Sequence, residues 1–102
     1  MSGFARLQAE DRRLTILRTL AEDAGRRANE FILKRVLKAI GHDVSRDVLR
    51  AELAWLLEHR LIRIERLHDE AGAEFQIAVL TEDGEDVAGG RPHTGVARPV
   101  AR

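Results

Sequence analysis

The chain has no cysteine and no tyrosine, and its aromatic fraction is only 4%. Without cysteine there is no disulfide framework, no thiolate metal ligand and no thiol nucleophile. The only two prolines, Pro92 and Pro99, fall in "RPHTGVARPVAR", a stretch without apolar period that is expected to be an irregular tail over residues 91–102. No apolar run approaches the roughly 20 residues that cross a bilayer. The opening "MSGFARLQAEDRR" lacks the apolar block of a signal peptide. These absences predict a cytoplasmic protein with no membrane segment.

Net charge is absent as well, with 17 Lys+Arg against 17 Asp+Glu, but the balance hides an asymmetry. Residues 1–60 hold 12 Lys+Arg and 9 Asp+Glu, whereas residues 61–102 hold 5 and 8. A nucleic-acid surface, if present, is expected in the first part. Enzymatic chemistry finds little support. There is no G-x-S-x-G and no phosphate-cradling glycine loop, since the glycines sit at turns and helix ends. His42, His59, His68 and His93 lie in four separate segments with no short ligand pair, and "HDE" at 68–70 reads as a polar hairpin tip. We expect no catalytic activity, no metal and no cofactor.

What is present suits one small domain, residues 1–90, with one core: 102 residues in all, 44% hydrophobic. Leu14, Leu17, Leu20, Ala21 and Ala24 fall on one stripe of a helix from about Gln8 to Ala24, which Gly25 can close in a left-handed conformation. Asn29 caps a second helix that places Leu33, Val36, Leu37 and Ile40 inward before Gly41 stops it. Ser45 caps a third, running to His59, with Leu49, Leu53 and Leu56 on its core stripe and Leu57 beside them. Trp55, on the flank of that stripe, suits core or hairpin packing better than base stacking.

At Leu61 the period becomes two. Ile62 and Ile64 alternate with Arg63 and Glu65; "HDEAGAE" turns the chain; Phe75, Ile77 and Val79 alternate with Gln76 and Ala78. Thr81 then caps a short helix that Gly89 and Gly90 end. The expected class is mainly α with a β-hairpin. Helix, helix, turn, helix, hairpin, helix is the arrangement of a winged helix-turn-helix domain: a three-helix core, a two-stranded wing and a short C-terminal helix.

"VLRAELAWLLEHRLIRIE" resembles the second half of the helix-turn-helix and the first wing strand of ArsR- and MarR-type regulators, and "LTEDG" their post-wing helix start. With "LAWL", "GHDVS" and "GVARP", the whole chain resembles small ArsR-like winged-helix proteins of Mu-like prophages. The resemblance implies a transcription regulator that binds double-stranded DNA with the helix 45–59 in the major groove. Arg46 and Arg50 are then the readers, because a guanidinium donates two parallel hydrogen bonds to guanine. Ala51 suits a thymine methyl, and Asp47 either accepts from cytosine or serves the helix end. Ser45, Lys34, Arg35, Lys38, Arg26 and Arg27 are candidate phosphate contacts. The plain alternative for each cation is a solvated side chain, or one paired with a carboxylate a turn away for a few tenths of a kcal/mol.

Two features depart from that pattern. Arg60 stands where such regulators often have glycine, and a left-handed residue there costs on the order of 1–2 kcal/mol. The wing tip is His68, Asp69, Glu70 and Glu74 instead of basic, and carboxylates there repel phosphates. A winged helix used for protein–protein interaction, as a phage accessory or adaptor protein, is therefore the other reading. A homodimer through helix 1 and the C-terminal tail is expected, using Phe4, Leu7, Ile16, Val96 and Val100.

Overall fold

In a computed structural model describing residues 2–99, the elements run α1 (Gly3–Glu22), β1 (Arg27–Asn29), α2 (Glu30–Ala39), α3 (Arg46–Glu58), β2 (Ile62–His68), β3 (Glu74–Leu80) and α4 (Glu82–Ala88). The three strands form one antiparallel sheet in the order β1-β3-β2, so the fold is four helices with a small sheet. Among the described residues no helix is long and apolar enough to cross a membrane.

Every helix starts at a side chain that accepts an otherwise orphaned backbone N–H. Asn29 Oδ1 accepts from Ile32, Ser45 Oγ from Val48 and Thr81 Oγ1 from Gly84, the three caps expected from sequence. Ser2 Oγ does the same for Ala5, so α1 begins at Gly3 instead of near Gln8. The close of α1 also differs from expectation. The left-handed residue of the following turn is Arg26, φ 57°, not Gly25. Asp23 Oδ2 accepts from the N–H groups of Gly25 and Arg27, while Arg26 Nη1 donates to the carbonyls of Ala21 at 2.6 Å and Asp23 at 3.0 Å. Those bonds offset the cost of a left-handed arginine. Arg60 is left-handed too, φ 62°, and its carbonyl accepts from Thr81 Oγ1 at 2.8 Å, tying the end of α3 to the start of α4.

The stripes of Leu14, Leu17 and Leu20, of Leu33 and Leu37, and of Leu49, Leu53 and Leu56 meet in one core closed by Leu61, Ile62, Leu80 and Val87. Ile16 belongs to it, 1% exposed, while Ile40, expected inward, is 53% exposed and Ala24 is exposed. The hairpin corrects the expected phase of its second strand. Ile62 pairs with Leu80 and Ile64 with Ala78, and these four face the helices. Phe75, Ile77 and Val79 therefore lie on the opposite face. "FQIAVL" is apolar at both parities near its end, and only the helix layer decides which parity is covered.

The third strand was not expected, since three residues are too few to show an alternation. It forms because β3 has a second edge, where Arg27, Ala28 and Asn29 pair with Val79, Ala78 and Ile77. The tail has no regular element over 91–99 but is fastened to the domain. Val96 is buried, Ala97 N donates to Glu10 O at 3.1 Å, and Arg13 Nη1 donates to Gly95 O at 2.9 Å. The remainder of the expected tail, with Val100 and Arg102, lies outside the described residues.

Candidate nucleic-acid interface

The two arginines expected to read bases converge on a carboxylate. Glu30, the first residue of α2, is 1% exposed. Its Oε1 accepts from Arg46 Nε at 2.5 Å and Arg50 Nε at 3.1 Å, and its Oε2 from Arg50 Nη2 at 2.8 Å and the backbone N–H of Gln76 at 2.6 Å. The arrangement follows from local rules. Asn29 fixes where α2 starts and Ser45 where α3 starts, and residues one turn apart on α3 share a side, so both guanidinium groups reach the same point. Burial alone raises the Glu30 pKa. Hydrogen bonds from Arg50, Arg46 and the Gln76 N–H outweigh it, lowering the pKa from 4.5 to about 2. The same contacts raise Arg46 and Arg50 above the usual arginine value, the hydrogen bond to Glu30 being the leading cause for each. Three charges thus leave one net positive charge at the start of α3.

Neither guanidinium is used up. Arg46 also gives Nη2 to Glu74 O at 3.1 Å and lies over the Phe31 ring, yet its side chain is 46% exposed. Arg50 spends Nε and Nη2 on Glu30, and its side chain is 31% exposed. Each keeps both N–H groups of Nη1 and one of Nη2. Lys34 and Lys38, one and two turns beyond Glu30, lie along the same edge of α2, half-buried and exposed respectively. Arg35 is exposed on the outer side of α2. Lys34, Arg35 and Lys38 make no ion pair among the described residues.

The other candidates are placed differently. Arg26 closes α1 and pairs with Glu85 of α4 at 2.8 Å, and Arg27 pairs with Glu65 across the sheet. Ser45 is occupied as a cap. Asp47 sits in the first turn of α3, and the outermost face of that helix is Asp47, Ala51, Ala54 and Glu58, all exposed and none basic. At the hairpin tip Asp69 Oδ1 accepts from the N–H groups of Ala71 and Ala73 at 2.9 Å, so one tip carboxylate shapes the turn. A second, Glu74, stands 3.7 Å from Arg66.

No family model matches the chain. It is 48% identical to the uncharacterized protein gp26 of Escherichia phage Mu over 94 residues, which cover 91% of this chain and 92% of that protein. The chain belongs to the phage Mu gp26 family. An uncharacterized protein of Haemophilus influenzae is 50% identical over 80 residues, 78% of this chain and 74% of that protein.

A second buried carboxylate of this gp26-family chain went unread in the sequence. Glu52, 4% exposed, accepts from Arg12 Nε at 2.8 Å and Arg13 Nε at 3.0 Å. Its signal was available: Glu52 sits one turn from Leu49 and Leu56, on the flank of the core stripe. Arg13 continues over the Trp55 ring at 4.0 Å, the His59 ring stacks on Trp55 at 3.7 Å, and His93 of the tail meets both edge-on. Trp55, half-buried, therefore packs on the edge of the core as expected, between α1 and the tail. With Arg13 over its ring and His59 stacked on it, it offers no open platform for a base. Glu30 gave no comparable signal, because its partners are 16, 20 and 46 positions away in the chain.

Proposed function

We propose that the chain is a winged-helix DNA-binding protein of a Mu-like phage or prophage, acting in the cytoplasm as a homodimeric transcription regulator. Three helices around one core, followed by a hairpin and a short helix, suit that fold, and β1 extends the wing sheet without disturbing the order. The observation that carries the reading is the Arg46–Glu30–Arg50 clamp. A buried carboxylate holds both guanidinium groups in one orientation at the exposed start of α3, each with N–H groups to spare, and Lys34 and Lys38 continue the positive edge along α2. Pre-oriented donors lose less side-chain entropy on binding a phosphate or guanine than free ones.

In this reading the α2–α3 edge supplies the affinity, through phosphates. Base reading is confined to Arg46 and Arg50, since Asp47, Ala51, Ala54 and Glu58 present no cation. That outward face, with the acidic hairpin tip, favours the second reading, a protein-interaction module. A titration on DNA from the protein's own gene neighbourhood at several salt concentrations separates the two. DNA binding requires a steep fall of affinity with salt, and Lys34→Ala or Lys38→Ala should each reduce the slope of log K against log salt by about 1. Arg46→Ala, in which Arg50 still holds Glu30, should reduce discrimination between sequences. Absence of any salt-dependent binding leaves the interaction module.

A further inference from the structure

An apolar strip lies beside the clamp. Phe31, 49% exposed in the first turn of α2, has its ring centroid 5.8 Å from that of Phe75 on β3, tilted by 41°. Leu67, 44% exposed, is the partner of Phe75 across the hairpin. The Arg46 guanidinium stands 5.4 Å from the centre of the Phe31 ring, so the strip and the clamp share a side chain. Arg50 shares Glu30 with Arg46, and Lys34 and Lys38 follow Glu30 by one and two turns of α2; past Leu67 the chain reaches Asp69 and Glu70 at the hairpin tip. Phe31 and Leu67 left open on either side of a half-buried Phe75, cationic on one border and anionic on the other, call for a partner that is flat and apolar on its faces and anionic along one side.

Intact duplex DNA offers base edges in its grooves and hides the base faces in its stack. Aromatic rings bordered by cations suit bases that have left the stack, with their phosphates led along Lys34 and Lys38 and kept off the tip by Asp69 and Glu70. We propose that the DNA taken by this face carries unpaired bases beside duplex, and that one of them stacks against Phe31 and Phe75. The inference rests on the DNA-binding reading above and names the form of DNA.

Two labelled oligonucleotides of one duplex sequence test it, one fully paired and one with a short unpaired segment carrying 2-aminopurine. The full-length protein should bind the second about tenfold tighter at equal salt, the value of roughly one stacked base, and should quench its 2-aminopurine fluorescence. Phe31→Ala should abolish the preference and the quenching with the salt slope unchanged, and Phe31→Trp should restore both; the exposure of Phe31 keeps the fold out of the comparison. Equal, salt-dependent affinity for the two oligonucleotides overturns the unpaired-base proposal and leaves the DNA-binding reading standing. So does a Phe31→Ala loss that is the same on both. Salt-independent or absent binding to either overturns both.

Discussion

Glu30 is the residue on which most of the candidate interface depends. A carboxylate 1% exposed and holding two guanidinium groups contributes stability only while it is charged. Its pKa falls from 4.5 when unfolded to about 2 when folded, so its contribution is complete above about 4.5 and is lost as the pH drops toward 2. The shift corresponds to about 3 kcal/mol at neutral pH. Glu30→Gln should therefore lower the urea unfolding free energy by about that amount at pH 7. The gap to the natural chain should close as both are titrated from pH 4.5 toward 2. A gap that stays constant over that range would show that the lost stability comes from packing instead of charge. At this scale the sequence was a partial guide. Arg46 and Arg50 were legible as partners on one side of α3, and an acidic pairing was one of the options for them. Its carboxylate, however, comes from another helix instead of one turn away.

Among the elements, the helices were the most legible, because an apolar stripe and a cap residue are local properties and Asn29, Ser45 and Thr81 cap where they were expected to. The strands were less so. β1 exists only because β3 has a free edge, and the phase of β3 is set by which parity the helices cover. The tail shows the same limit. Its lack of period was plain, but its attachment depends on α1 and α3, distant in sequence. Gly95, φ 91°, lies so close that an added Cβ would stand 2.4 Å from Trp55 Cζ2. Gly95→Ala should thus lift the tail from Trp55, lowering stability by about 2 kcal/mol. The emission of the single tryptophan should move to longer wavelength as the ring gains water. An unchanged spectrum and melting temperature would mean that the tail contacts carry no energy.

At the scale of the whole molecule, association and charge remain. The expected dimer interface loses two of its residues to the protomer's own core, since Ile16 is 1% and Val96 6% exposed. Phe4, 72% exposed, and Leu7, 59% exposed, stay available on the first turns of α1. If these turns join two copies, light scattering at tens of micromolar should return twice 11.5 kDa, and Leu7→Glu should return the single mass. A monomer for the unaltered chain removes the dimer from the proposal. The neutral overall charge is a weak guide to partners, because it averages a positive α2–α3 edge against an acidic hairpin tip and α4.

By itself the sequence determined three helix starts, most of the leucine stripes, the hairpin and the basic bias of the first sixty residues. Each of these depends on neighbours a turn or a pleat away. Only the tertiary structure decided which face of β3 is inside, that β1 exists, and that Arg46, Arg50, Arg12 and Arg13 answer two buried carboxylates. Those outcomes rest on the desolvation of groups brought together from distant parts of the chain. A buried charge must find its partners wherever the packing of the helices places them.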